Sequence, residues 1–306
     1  MRAAAESAPL FQVERAGPVA ATLGESPLWH AGEQCLYYVD IAECQVLRLD
    51  PVSGALKHWQ LDSEPGCIAL SAGGGLLVAQ RNGLWRLDPA SGAHTRLAEA
   101  PFDPARQRFN DGKPDAQGRL WVGTIDDARA PEAGLYRYAD GGFTRMAAGI
   151  VTSNGLAWSP DQRRLYWSDT KAHQIYRLDF DAQQGSLGER RVFAQFEPRA
   201  ADQSLDDYGG RPDGAAVDIE GCYWVAMFEG QRLLRFAPDG SLRRELRLPV
   251  RCPTMPGFGG PDLRTLFITT AREKRPAEEL AAQPWAGCVL KVRVDVPGMP
   301  AQIAAV

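Results

Sequence analysis

LYYVD (36–40), LLVAQ (76–80), LWVGT (120–124), LYWSD (165–169), YWVAM (223–227) and LFITT (266–270) are one short apolar pattern written six times along a chain of 306 residues. The starts lie 40, 44, 45, 58 and 43 residues apart. Each run is followed by a second of similar flavour: VLRLD from Val46, LWRLD from Leu84, LYRYA from Leu135, IYRLD from Ile175, LLRFA from Leu233 and VLKVR from Val289. These residue types favour strands. Turn formers sit between the runs, with DPVSG at 50–54, DPASG at 88–92, DGG at 140–142 and PDGS at 238–241. Units of roughly 40 to 45 residues holding about four strands each mark the blades of a propeller. The chain is therefore expected to be all-β, a six-bladed β-propeller forming one domain over residues 1–306. Two stacked β-sandwiches would not require the same pattern six times at near-constant spacing.

A ring of blades needs closing. The alternating segment LFQVE at 10–14 precedes the first repeat, so a strand at about 10–15 is expected to form the outer edge of the last blade. The one long interval contains EPRAADQSLDDYGGRPDG at 197–214, which reads as a loop on a rim.

Composition narrows the function classes. Thirty-four basic and 38 acidic residues leave a net charge of −4, no electrostatic footprint for nucleic acid or an anionic membrane. No stretch is apolar for the roughly 18 residues a membrane helix needs, and the start MRAAAESAPL lacks the apolar core of a signal peptide. The expected compartment is the cytoplasm, and the expected assembly a monomer or weak homo-oligomer. Cys35, Cys44, Cys67, Cys222, Cys252 and Cys288 form no C-x-x-C pair and read as reduced core residues. Only four histidines occur, with no H-E-x-x-H and no G-x-S-x-G, so zincin and nucleophile-elbow chemistry lack their parts.

The repeat phase picks out polar residues. The innermost strand of a blade precedes the LYYVD-type run, so residues 10 to 12 positions upstream of each run should share one height beside the central channel. They are Glu25, Gly66, Asn110, Asn154, Asp213 and Thr254, and four of the six carry a carboxylate or carboxamide. Oxygen donors converging on one axis describe a site for a hard divalent cation. Glu25, Asn154 and Asp213 are the candidate metal ligands; Ca²⁺, Mg²⁺, Mn²⁺ and Zn²⁺ all remain open. In RFNDGK at 108–113, Arg108 can clamp oxygens through its planar fork and Asn110 can bond hydroxyls, so a polar ligand is expected beside the cation. Trp29, Trp121, Trp158, Trp167 and Trp224 recur at matching strand positions and suit packing between blades.

The motifs LGESPLW (23–29), RFNDGKPDAQGRLWVGT (108–124), SNGLAWSPD (153–161), LYWSDT (165–170) and RPDGAAVD (211–218) resemble the senescence-marker-protein/gluconolactonase/luciferin-regenerating family over about Gly24 to Arg293. The resemblance implies one divalent cation bound by Glu25, Asn154 and Asp213, with Arg108 and Asn110 contacting substrate and Asp213 as general base. It also implies a metal-dependent hydrolase opening a sugar lactone, such as glucono-, xylono- or arabinonolactone, to the aldonic acid. Animal members of the family carry a substrate-contacting Glu where ungapped counting reaches Ala128, just after Asp126 and Asp127, which leaves the sugar open. Two other readings share the architecture: a propeller hydrolase of another ester or an organophosphate, and a noncatalytic calcium-binding or interaction propeller.

Overall fold

Six sheets of four antiparallel strands each, one of them extended by a short fifth strand, succeed one another along the chain in the computed structural model, which describes residues 11–306. Their innermost strands are Gly24–His30, Pro65–Ser71, Gln107–Pro114, Ser153–Trp158, Arg211–Val217 and Pro253–Gly259. These contact one another in sequence, and the first meets the last, so the ring is closed around a central channel. The arrangement is a six-bladed β-propeller. Each LYYVD-type run lies in the second strand of its blade: Cys35–Asp40, Leu76–Gln80, Leu120–Asp126, Arg164–Asp169, Tyr223–Phe228 and Thr265–Thr270.

Those runs are apolar because a second strand is covered on both faces by neighbouring blades. Trp121 and Trp167 are fully buried, and Trp121 meets Trp158 of the next blade edge-on at 6.3 Å between centroids. Trp29 stacks on Phe267 at 5.6 Å across the closure between blades 1 and 6. All six cysteines are unpaired, five of them buried. Among the described residues no helix is long and apolar enough to cross a membrane; the single helix, Ala277–Ala282, sits in blade 6.

The outer strand of blade 6 is Glu14–Ala20, pairing antiparallel with Cys288–Arg293. It lies further along the chain than the 10–15 expected, and Leu10 falls outside the described residues. Phe11 and Val13 instead pack against the apolar cluster between blades 5 and 6. Gly17 and Pro18 make the true segment look like a breaker, yet an outermost strand needs no hydrogen-bond partner on its free edge and tolerates proline there. At the other terminus, Ile303–Ala304 adds a short parallel strand to Pro65–Ser71. The rim loop ends at Gly210, because Arg211 already belongs to the innermost strand of blade 5.

One device recurs in every blade. The register between the first and second strands shifts at the phase position, between Glu25 and Leu28, Pro65 and Cys67, Phe109 and Gly112, Asn154 and Ala157, Pro212 and Ala215, and Pro253 and Met255. A bulge re-aims a side chain out of the pleat. The small residue after the polar one is the mark of this bulge: Gly155 has φ +62°, and a Cβ there would lie 2.3 Å from the Tyr223 hydroxyl.

Candidate active site

The bulges turn Glu25, Asn110, Asn154 and Asp213 into one cavity of about 270 Å³ at one mouth of the channel. All four side chains are at least nine-tenths buried. Arg108, half-buried, completes this wall, so the structure brings together all five residues singled out by the repeat phase and the RFNDGK motif. The two remaining phase positions have structural work. A Cβ on Gly66 would sit 2.4 Å from the Phe109 carbonyl oxygen, and Thr254 donates to the Gly24 carbonyl at 2.6 Å, tying blade 6 to blade 1.

A directed chain of hydrogen bonds links four of the side chains. Arg108 Nη1 donates to Asn110 Oδ1 (2.8 Å), Asn110 Nδ2 to Asn154 Oδ1 (2.7 Å), and Asn154 Nδ2 to Asp213 Oδ1 (2.6 Å). Guanidinium can only donate and carboxylate can only accept, so the two ends fix the orientation of both amides between them. Asn154 Nδ2 also donates to Thr170 Oγ1 (2.8 Å), and Asn110 Nδ2 to the Ser153 carbonyl (2.8 Å). Both amide nitrogens are therefore spent, and what faces the cavity from Asn110 and Asn154 is oxygen.

The carboxylates are short of partners. Glu25 Oε2 accepts only from its neighbour's backbone, Ser26 N at 3.3 Å, and neither Glu25 nor Asp213 joins an ion pair among the described residues. Burial pushes the Glu25 carboxyl well above its usual range, and the nearby Asp213 and Asp111 push it further. Burial likewise raises Asp213 to about 8, with Asp111 adding to the rise while Arg211 and Arg108 oppose it. Arg108 is pushed down to about 10 by burial and keeps its charge at neutral pH. Two buried, repelling carboxylates beside an oriented amide oxygen fit a divalent cation, which takes oxygen donors and offsets both charges.

This arrangement sets a pH dependence for the cation-free chain. Between the ordinary Asp value of 3.8 and about 8, folded Asp213 holds a proton that the unfolded chain has released. Stability must then fall as pH rises through that window. Melting temperatures of chelator-treated protein are expected to decline from pH 5 to pH 8, and added cation to restore most of the loss at pH 8. A flat profile would contradict the burial of unpartnered carboxylates.

Other polar clusters have internal roles. Asp111, buried, accepts from Leu156 N at 2.8 Å, and Lys113 Nζ donates to the Leu156 carbonyl at 2.9 Å and to that of Ala215. These bind blades 3, 4 and 5 below the cavity. Asp218, Glu220 and Cys222 lie close enough to hold an ion, but Arg235 already bridges both carboxylates at 2.7 Å. A second cavity of about 130 Å³ at the opposite mouth is walled by apolar groups such as Trp29, Trp158, Met255 and Met299 and offers no carboxylate.

Three cationic residues of the cavity wall were not among the site residues expected from the sequence: Arg129, Lys171 and Arg211. Of residues 127–133 and 197–211, only Arg129 and Arg211 reach the wall. Ala128 does not; Asp127 pairs with Arg81 at 2.9 Å, and buried Asp126 staples its own turn through Ala128 N (3.0 Å) and Ala130 N (3.2 Å).

A six-bladed ring with acid and amide side chains bulged into one mouth defines a recognisable class. The chain belongs to the family described as SMP-30/Gluconolactonase/LRE-like region, whose model matches residues 23–272. It is 46% identical over 278 residues to a 6-deoxy-6-sulfogluconolactonase of Pseudomonas putida, covering 90% of this chain and 92% of the relative. Against regucalcin of Danio rerio the identity is 36%, covering 91% and 93%. A crystal structure described as a calcium-binding protein, regucalcin, from Agrobacterium tumefaciens superposes with a TM-score of 0.89 at 27% identity, over 97% of this chain and 98% of that one.

Proposed function

We propose that this protein hydrolyses a sugar lactone, an aldonolactone of the glucono-, xylono- or arabinono- type, to the aldonic acid. A divalent cation, Ca²⁺, Mg²⁺, Mn²⁺ or Zn²⁺, resides among Glu25, Asn154 and Asp213. The observation that carries the reading is the pair of buried carboxylates without a cationic partner, set in a cavity whose other polar walls are oriented by Arg108. The lactonase name of the Pseudomonas putida relative and the calcium-binding description of the Agrobacterium tumefaciens neighbour support it.

When bound, the cation supplies Lewis acidity toward the lactone carbonyl oxygen and the oxyanion that develops there. Asp213 takes a proton from the water that attacks the carbonyl carbon; its Oδ1 is held by Asn154 while Oδ2 has no hydrogen-bond partner among the described residues. As the ring C–O bond breaks, that proton passes to the ring oxygen, leaving a hydroxyl on the opened chain. No serine–histidine pair is needed. Arg108 retains donors beyond the one given to Asn110, so it donates to ring oxygens, while Asn110, with both N–H groups spent, accepts from a ring hydroxyl.

Acid release from a panel of five- and six-carbon lactones tests the activity directly, and silence on every member would reject it. Arg108→Ala is expected to raise KM about ten- to hundred-fold, the weight of a hydrogen bond to a charged group. Bound cation should be retained, because Asn154 stays anchored to Thr170 and Asp213. Loss of the cation in this variant would mean that Arg108 holds the ligand set rather than the substrate.

A further inference from the structure

The charges around the cavity do not balance once the carboxylates are occupied. Seven charged side chains line it, four of them cationic: Arg108, Arg129, Lys171 and Arg211. Arg211 is paired with Glu229 at 2.7 Å, and the lining acid Glu273 with Lys274 at 2.9 Å. A divalent cation offsets Glu25 and Asp213. Arg108, Arg129 and Lys171 are then left without a counter-charge among the described residues.

Arg129 and Lys171 are built into place. They occupy the turns that follow the second strand in adjacent blades, after Asp126 and Asp169. Asp126 staples the first turn as described above. Asp169 Oδ1 accepts from Lys171 N (3.1 Å), Ala172 N (3.3 Å) and Thr152 N (3.2 Å). Arg129 has φ +58°, a left-handed conformation that costs a residue with a Cβ, and its backbone N–H is held by the Asp126 carbonyl at 2.9 Å. The corresponding turn of blade 1, stapled by Asp40, carries Glu43, so positive charge is not a requirement of the turn. A left-handed residue recurs in these turns, Cys44 (φ +53°) in blade 1 and His173 (φ +56°) in blade 4, so it is the placement of two cations without an ion pair on the cavity wall, rather than the backbone, that marks a ligand contact.

We infer that Arg129 and Lys171 form an anion subsite, and that the substrate is a sugar lactone bearing a sulfonate or phosphate on the carbon remote from the lactone carbonyl. The inference rests on the lactone reading and deepens it. Arg108 and Asn110 sit on the inner strand beside Asn154 and Asp213, whereas Arg129 and Lys171 project from the outer turns, which suits a substrate with its carbonyl deep and its anion at the mouth. Both anions present three oxygens that a guanidinium and an ammonium bind together.

Initial rates of acid release from gluconolactone, 6-phosphogluconolactone and 6-deoxy-6-sulfogluconolactone decide the matter. One protein is the wild type; the other is Arg129→Gly with Lys171→Ala, in which glycine keeps the left-handed backbone. The wild type is expected to show kcat/KM at least about ten-fold higher for one of the anionic lactones than for gluconolactone, and the better of the two identifies the anion. The double variant should lower that ratio at least ten-fold with its melting temperature preserved. No anionic preference in the wild type, or an unchanged ratio in the variant, overturns the subsite while leaving the lactonase reading intact. Should no lactone be opened, that reading fails, and calorimetric titration with 6-phosphogluconate and 6-deoxy-6-sulfogluconate takes over. Binding by the wild type that the variant loses sustains the anion subsite; absence of binding ends it.

Discussion

Asp213→Asn is expected to lower kcat/KM for lactone opening by roughly a thousand-fold or more, the range for loss of a general base. The substitution keeps the shape of the side chain and removes its charge. Its amide oxygen can still accept from Asn154 Nδ2, as Asp213 Oδ1 does at 2.6 Å, but an N–H donor replaces the second carboxylate oxygen, so the cation loses an anionic ligand and the attacking water its proton acceptor. Cation affinity should fall together with rate. In the cation-free state the effect on stability has the opposite sign: removing one of two repelling buried carboxylates should raise the melting temperature at pH 8 and flatten its decline with pH. A residue whose removal stabilises the protein while abolishing its chemistry is retained for that chemistry. Undiminished turnover in this variant would remove Asp213 from the mechanism.

Gly66→Ala should be the most damaging single-methyl change near the site. The added Cβ would meet the Phe109 oxygen at 2.4 Å, the Phe109 carbonyl carbon at 2.5 Å and Asn110 N at 2.7 Å, all backbone atoms. No rotamer relieves such contacts, so blades 2 and 3 must part. Overpacking of this kind costs about 3 kcal/mol, enough to lower the melting temperature by several degrees. The strand that moves carries Arg108 and Asn110, so KM should rise as well. Thermal unfolding and steady-state kinetics on one preparation check both; a stable variant with normal KM would show that the blades have slack at this point.

The blade count was legible because burial on both faces forces the same apolar second strand into every repeat, and the hairpin turns set its spacing. Glu25, Asn110, Asn154 and Asp213 were legible for a related reason: they share one repeat phase at the bulge of each inner strand, with a small residue directly after Glu25, Asn154 and Asp213 and, past Asp111, Gly112 after Asn110. Gly66 and Thr254 occupy the same phase, but contacts between blades dictate them. Arg129, Lys171 and Arg211 carry no such trace. Turns tolerate almost any side chain on their outer positions, and only the folded ring shows which of the chain's cations face the cavity. The closing strand was displaced because local alternation favoured LFQVE, whereas an edge strand obeys weaker rules and accommodates Gly17 and Pro18.

The central claim is that a cation held by Glu25, Asn154 and Asp213 enables lactone hydrolysis. Its most direct test strips the protein with chelator and titrates Ca²⁺, Mg²⁺, Mn²⁺ or Zn²⁺ back while acid release is followed on the best lactone. Activity should vanish on stripping and return in full at one equivalent per chain for at least one of these ions, with no return in Asp213→Asn. Full activity in the stripped protein, or recovery that needs no intact Asp213, would contradict the account.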